Sequence, residues 1–124
     1  MSVDGIVVSV ITGGRENGVS VLKVSGYLDT STSSELETAL LGLLKKDERK
    51  IVIDLSGVNY ISSAGWGIFI GEIKDIRHQG GDLKLAGMAG DVYEVFRLLE
   101  FDSILDAYDT IDDAMASFKD SKKG

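Results

Sequence analysis

Residues 51–67 read IVIDLSGVNYISSAGWG, and this stretch decides the fold. Residues 51–53 form a short apolar run rich in β-branched side chains, which is typical of a buried strand. Asp54 ends the apolar run, and Tyr60 and Ile61 briefly restore apolar character. Small and polar residues follow at 62–65, and an apolar-rich stretch then continues to Ile76. The pattern therefore predicts a strand, a turn and the start of a helix.

The predicted turn places Ser62 and Ser63 at the N-terminus of a helix. Unpaired backbone N–H groups and the positive end of the helix dipole favour an anion at such a position. The Ser63 hydroxyl is open to two interpretations. It is either a plain helix N-cap or a site where an attached phosphate would find favourable electrostatics.

The remainder of the chain alternates strand and helix signals. Residues 6–11 and 19–24 predict a hairpin around a glycine-rich turn. Helical crossovers between the later strands imply mostly parallel pairing, with the central strand buried. The carboxyl ends of parallel strands share one edge, so we expect the loops that carry Asp29 and the serine pair to lie near one another, with the strand order left open. We therefore predict one α/β domain over residues 1–124, with an initial β-hairpin, a core of about 4–118 and a flexible tail at 119–124. Further elements are predicted as a helix along 36–44, a helix over 63–79, a strand at 82–86, a helix through 92–99, a final strand at 101–105 and a helix that Thr110 starts.

Local signals refine the helix ends and the packing. The pairs Thr32–Glu35 and Asp91–Glu94 have the spacing of a capping box. Gly67 and Gly71 are four residues apart, and this spacing predicts close packing of helix on sheet. The adjacent pair at 112–113 is expected in the first turn of the last helix rather than in a metal site.

Composition narrows the functional classes. The chain has 124 residues, a formal net charge of −7 and no cysteine. Nucleic-acid and acidic membrane surfaces are therefore disfavoured, and no thiolate nucleophile or cysteine-ligated metal is available. The single His78 is expected to be solvated at a helix end, and no P-loop is present. We expect no cofactor, no metal and no enzymatic activity, and a cytoplasmic location fits the absence of cysteine.

The pattern from Asp54 to Gly65, DLSGVNYISSAG, resembles the signature of STAS domains, specifically the bacterial anti-sigma factor antagonists. Residues 26–29, GYLD, resemble a second segment of that family, which precedes the first helix. Residues 80–85 and the region 96–105 resemble its later elements. The likeness extends over nearly the whole chain in the expected order.

The resemblance implies partner switching. An unphosphorylated antagonist binds an anti-sigma factor that has serine kinase activity, and the sigma factor is released. Phosphorylation of a serine on the antagonist then separates the complex, and a phosphatase resets the system. A second interpretation is a STAS module that senses a ligand or supports a signalling assembly without being phosphorylated.

The same resemblance implies the site residues. Ser63 matches the phosphoacceptor, and Asp29 matches an acidic loop residue near it, although Asp29 is equally a turn or cap residue by type. Ser62 stands where family members often carry aspartate, and Ala64 follows the acceptor. These residues, with Gly65 and Trp66, are the predicted neighbours or partner contacts of the acceptor. Trp66 lies three residues after Ser63 on the same helix face, where it is either a core residue or an interface anchor.

Overall fold

The structure is a computed structural model that describes residues 7–12 and 18–120, with side chains described from 18 to 118. The strands and helices alternate as the sequence predicts after the first two strands. The elements within the described ranges are β1 (Val7–Thr12), β2 (Val19–Leu28), α1 (Ser33–Lys45), β3 (Lys50–Ile61), α2 (Ser63–His78), β4 (Asp82–Ala86), α3 (Gly90–Leu98), β5 (Asp106–Tyr108) and α4 (Ile111–Asp120).

The sheet has the order β1-β2-β3-β4-β5, so neighbours in sequence are neighbours in space. β1 and β2 pair antiparallel as a hairpin, whereas β2 to β5 are parallel. These observations confirm the α/β fold, the hairpin and the mostly parallel sheet. A parallel sheet brings the carboxyl ends of its strands to one edge, where loops can form a site.

Both faces of the sheet are covered by helices. Ile51 and Ile53 point into a large apolar cluster that also contains side chains of α1, α2 and α3. Val52 belongs to a smaller cluster with Ala114 and Phe118 of α4. Successive strand residues face opposite sides of a sheet, so this division explains why the run 51–53 is apolar without interruption.

β3 is longer than predicted. The strand continues from Lys50 to Ile61, well beyond the apolar run that Asp54 ends. Asp54 is only 5% exposed, yet its Oδ1 accepts a hydrogen bond from the Ser56 backbone N–H at 3.0 Å. Its Oδ2 also lies 3.7 Å from Nζ of Lys23. These partners satisfy the carboxylate, and pairing with β2 carries the strand onward to its end.

The prediction of a final strand at 101–105 is also wrong. Residues Phe101–Ser103 form a short 3-10 turn, and the last strand, β5, begins three residues later at Asp106. Glu100 adopts a left-handed conformation, with φ of 60°, immediately before the turn. The Phe101 ring packs against Trp66 at a centroid distance of 5.2 Å. The apolar character of this segment therefore reflects packing on α2 rather than a place in the sheet.

The capping boxes are not formed. Thr32 precedes α1, but its hydroxyl makes no cap bond; instead it donates to the Tyr27 carbonyl oxygen at 2.8 Å. α3 begins at Gly90, and its N-cap residue Ala89 has no side chain that could cap. At α4, however, the Thr110 hydroxyl accepts a hydrogen bond from the Asp113 N–H at 3.0 Å, so Thr110 starts that helix as predicted. The last helix continues to Asp120, two residues into the segment predicted as a tail.

The glycine prediction fails at both positions. Gly67 and Gly71 are exposed, and a Cβ at either would meet no atom within 4 Å. The tight approach of helix to sheet occurs instead at Gly65. None of the helices between residues 18 and 120 combines the length and apolarity that a membrane crossing requires. Residues 1–6, 13–17 and 121–124, including most of the predicted tail, lie outside the described residues.

Candidate functional site

The candidate site lies where β2 and β3 end. Leu28 pairs with Ile61 at the end of both strands. The backbone N–H of Ser62 donates to the Leu28 carbonyl oxygen at 2.8 Å, which joins the end of β2 to the start of α2. The loop that carries Asp29 and the serine pair are thereby adjacent, as the sequence predicts for strand ends that share one edge.

Ser62, not Ser63, caps the helix. Ser62 has an extended backbone, and its hydroxyl accepts a hydrogen bond from the Gly65 N–H at 3.3 Å. The interpretation of Ser63 as a plain N-cap is therefore wrong. Ser63 is the first residue of α2, and its side chain is exposed. The Ser63 hydroxyl is thus left available for other chemistry.

The start of α2 is suited to a negative charge. The first N–H groups of a helix, which include those of Ser63 and Ala64, have no acceptor within the helix. The first turn contains no acidic residue that would already neutralise the positive end of the helix dipole. Every helix has such an N-terminus, so this feature alone does not identify a binding site. The surface around it must also be considered.

Asp29 is held in a turn. Its Oδ1 accepts hydrogen bonds from the Ser31 N–H at 2.9 Å, the Ser31 hydroxyl at 2.8 Å and the Thr32 N–H at 3.1 Å. The Ser31 hydroxyl is the largest cause that lowers the pKa of Asp29, and the two backbone N–H groups act in the same direction. Among the described residues, Asp29 makes no hydrogen bond to Ser63. The structure brings the two residues to the same edge but gives the Asp29 carboxylate a structural role in the turn.

Gly65 allows α2 to approach the sheet. A Cβ at this position would lie 2.9 Å from Cγ2 of Ile61 and 3.0 Å from Cβ of Leu28. Real Cβ atoms do not approach other carbons this closely, so a larger side chain would push the helix start away from the strands. Gly65 was predicted as a neighbour of the acceptor, and its close contacts with the two strands give a steric reason for glycine at this position.

Trp66 belongs to the core. It is 2% exposed and packs against Phe69, Phe96 and Phe101, with ring centroids 5.2–5.9 Å apart. Of the two interpretations, core packing is therefore the one that its burial supports. Its indole Nε1, although buried, has no hydrogen-bond partner among the described residues. Most buried indole N–H groups find an acceptor, so this donor is unusual.

A cavity of about 330 Å³ lies between the end of β3, the first turn of α2 and one side of α3. Ser62, Ser63 and Trp66 line it from α2, and Asp91 is on the opposite wall. Its rim consists of large apolar side chains that are well exposed to solvent. The exposed fractions are 55% for Tyr60, 40% for Val95 and 53% for Leu99.

The apolar rim was not predicted from the sequence. Val95 and Leu99 were predicted only as positions of a helix, and of the apolar residues of α3 the structure buries Val92 and Phe96. A surface of neighbouring apolar side chains is uncommon on a monomeric domain and often marks an interaction site. The four-residue spacing of Val95 and Leu99 was the sequence signal that could have indicated a second apolar stripe on this helix. Between residues 18 and 118, no cluster of His, Cys, Asp and Glu is arranged to hold a metal ion.

Comparison with known proteins places the chain in a family. Residues 14–114 match the STAS domain. The chain therefore belongs to the STAS domain family, as the resemblance of its central segment implies. The matched region contains the serine pair, the strands that end beside it and most of the apolar rim.

Similar proteins are named as anti-sigma factor antagonists. BtrV of Bordetella bronchiseptica, a protein assigned as an anti-sigma factor antagonist, is 31% identical over 109 residues, which cover 88% of this chain and 94% of BtrV. The anti-sigma-B factor antagonist of Staphylococcus aureus is 31% identical over 77 residues, covering 62% of this chain and 71% of that protein. A crystal structure of an anti-sigma factor antagonist from Mycobacterium paratuberculosis superposes with a TM-score of 0.81 at 28% identity, covering 94% of this chain and 96% of that one.

Proposed function

We propose that this STAS domain is an anti-sigma factor antagonist that binds a kinase-type anti-sigma factor and is released when Ser63 is phosphorylated. One observation carries the proposal. The exposed Ser63 hydroxyl shares a cavity with the exposed apolar side chains of Tyr60, Val95 and Leu99. A partner that covers this rim would bring its own active site to the acceptor hydroxyl.

The electrostatics favour a phosphate on Ser63 and disfavour the complex once the phosphate is attached. A phosphate on Ser63 would add roughly −1.5 to −2 charges at the start of α2, where free N–H groups and the helix dipole stabilise an anion. Asp91 already lines the cavity, and the chain has a formal net charge of −7. The added charge would therefore repel an acidic region of the partner and disfavour the complex.

Ser62 supports the assignment of the acceptor. Its hydroxyl is occupied in capping Gly65, whereas the Ser63 hydroxyl has no such bond among the described residues. Ser62 stands where related sequences often have aspartate, and both side chains can cap a helix through an oxygen acceptor. The replacement therefore preserves the cap and leaves Ser63 as the hydroxyl that a kinase would reach.

The proposed setting is cytoplasmic. The partner is an anti-sigma factor with serine kinase activity, which supplies the ATP, and a phosphatase that acts on phosphoserine restores the antagonist. We propose a regulatory protein rather than an enzyme, with no cofactor of its own. Ala64, Gly65 and Trp66 are then positioning residues of the acceptor site rather than catalytic ones.

The test is a phosphorylation and release assay with a kinase-type anti-sigma factor and ATP. We expect peptide mapping to locate phosphate on residue 63 in the native chain and in Ser62→Ala. Ser63→Ala should bind the kinase but should not be released by ATP. Phosphate on Ser62 in the native chain, or ATP-dependent release of Ser63→Ala, would contradict the proposal.

The docking surface has its own test. Leu99→Asp should weaken binding of the unphosphorylated chain by about tenfold or more, a loss of at least ~1.4 kcal/mol, since apolar interface residues tolerate charge poorly. Ala116→Asp is the matched control, because Ala116 is exposed on α4, across the sheet from the cavity. Equal effects of the two variants would argue against the rim as the partner surface.

A second candidate is a STAS module that senses a small ligand. The observation in its favour is the unpartnered Trp66 Nε1 beside a cavity large enough for a small molecule. A ligand with a hydrogen-bond acceptor would satisfy this donor. Stable binding of the kinase without phosphate transfer, together with Trp66 emission that responds to small metabolites, would favour this candidate.

A further inference from the structure

The second surface of interest lies at the other end of α2. The C-terminal halves of α1 and α2 border a groove of about 560 Å³, lined by Leu41 and Gly42 on one side and by Glu72 and Asp75 on the other. Glu72 is nine residues after Ser63, which is about 13 Å along a helix axis. The groove is therefore separate from the cavity beside the phosphoacceptor, and the proposed function does not use it.

Glu72 is an unusual carboxylate within this groove. It is 9% exposed, and its buried Oε1 has no hydrogen-bond partner in the part of the chain that the structure describes. Burial, and then the negative charges of Asp75 and Glu37, raise the pKa of Glu72. Lys45 also lines the groove, but among the described residues it makes no ion pair with Glu72. A buried acceptor without a donor is costly, so it marks a place where an external donor would be favoured.

Gly42 supplies an independent argument. It lies inside α1, where glycine destabilises a helix relative to alanine. A Cβ at this position would meet no atom of the described residues within 4 Å, so none of their contacts requires glycine. The missing side chain leaves room beside Leu41, which is 46% exposed. The groove thus combines open space, an exposed apolar wall and an unsatisfied carboxylate.

We propose that this groove docks a segment of a protein partner that presents an arginine or lysine side chain to Glu72 and an apolar side chain to Leu41. Charge complementarity selects this occupant. Glu72 and Asp75 line the groove, and the charge of Glu37 also acts on Glu72, against the single positive charge of Lys45. A guanidinium or ammonium group supplies the donor that Glu72 lacks. The carboxylates are not arranged as a metal site among the described residues, which disfavours a bare cation as the occupant.

The experiment uses the full chain and Nα-acetyl-Leu-Arg-amide as the probe, followed by backbone and carboxyl NMR shifts. We expect saturable shift changes at Leu41, Gly42 and Glu72. The measured pKa of Glu72 should fall when the probe is bound, because a nearby positive charge favours the ionised form. A probe with citrulline in place of arginine should bind at least tenfold more weakly.

Two variants distinguish binding in the groove from non-specific attraction between the probe and the negatively charged chain. Glu72→Gln should lose at least tenfold in probe affinity. Gly42→Leu should also lose at least tenfold in probe affinity, because the leucine side chain fills the groove. The variant should fold, because leucine is a good helix former and this position is open. Gly71→Leu is the matched control, because Gly71 is equally unobstructed and does not line the groove.

Three results would overturn the proposal. One is an arginine probe that leaves the groove signals unchanged. Another is equal binding of the arginine and citrulline probes. The third is a low pKa for Glu72 in the free protein, which would mean that Lys45 already satisfies it in solution. None of these results bears on Ser63, so the phosphorylation assay remains a separate test of the proposed function.

Discussion

Ser62 is bonded to Leu28 through its backbone and to Gly65 through its side chain. Its N–H donates to the Leu28 carbonyl oxygen at 2.8 Å, and its hydroxyl accepts from the Gly65 N–H at 3.3 Å. One residue therefore fixes the start of α2 relative to the end of β2. Ser63, the next residue, is left exposed at a position determined by its neighbour.

The first prediction compares the two serines. Ser62→Ala should lower the free energy of unfolding by about 1 kcal/mol, because the variant loses the helix cap. Ser63→Ala should change it by less than about 0.5 kcal/mol, as expected for an exposed side chain without a structural bond. Urea unfolding of both variants measures the difference. A larger loss for Ser63→Ala would reverse the assignment of the cap.

The second prediction concerns the glycines of α2. Gly65→Ala should destabilise the protein by about 1–3 kcal/mol, because its Cβ would lie 2.9 Å from Ile61 Cγ2. Gly67→Ala should stabilise it by about 0.5–1 kcal/mol, because that position is open and alanine favours a helix. Thermal unfolding of the two variants provides the measurement, and stabilisation by both would contradict the close approach at Gly65.

The contrast between Gly65 and Gly67 shows where sequence patterns are informative. The alternation of apolar runs and helical stretches was sufficient to predict the α/β fold, because it reflects which faces are buried. Which glycine of α2 meets the sheet depends on the rotation of the helix about its axis. That rotation is determined by distant contacts, such as those of Trp66 with Phe96 and Phe101, which spacing alone does not reveal.

The length of β3 was missed for a related reason. A charged Asp54 indicates the end of a strand when its neighbours are considered alone. In the structure its carboxylate is satisfied by the Ser56 N–H and lies near Lys23 on β2, so the strand continues. Long-range pairing also determines the strand order, which the sequence analysis left open. The edge that holds Asp29 and the serine pair was nevertheless predicted correctly.

The third prediction concerns Trp66. Trp66→Ala should lower the free energy of unfolding by about 3 kcal/mol or more, because the side chain is 2% exposed among three phenylalanine rings. Trp66→Phe should cost less, about 1.5 kcal/mol, since it retains an aromatic ring and removes an N–H that has no partner. Urea unfolding gives both values. Equal losses of unfolding free energy in the two variants would mean that aromatic packing is not the main contribution of Trp66 to stability.

Partner binding by Trp66→Phe adds a second readout to this prediction. If Trp66 acts through the core, Trp66→Phe should bind the anti-sigma factor within a few-fold of the native chain at a temperature where both are folded. Native Trp66 emission should still change on binding, because Trp66 lines the cavity beside Ser63. A large loss of affinity in a fully folded Trp66→Phe would instead assign the indole a direct role at the interface.

The last prediction is a pH dependence that arises from Glu72. Burial raises the pKa of Glu72 in the folded state, so the native protein holds this proton more tightly than the unfolded chain. The associated stability is present below the unfolded pKa and is lost as the pH rises through the folded pKa. Glu72→Gln, which cannot ionise, should therefore be more stable than the native chain at pH 7. The difference should shrink as the pH falls below the unfolded pKa.

Urea unfolding across this range measures the effect, with the exposed Glu94→Gln as the matched control. A stability difference that stays constant with pH would show that the Glu72 carboxylate is not desolvated in the folded protein.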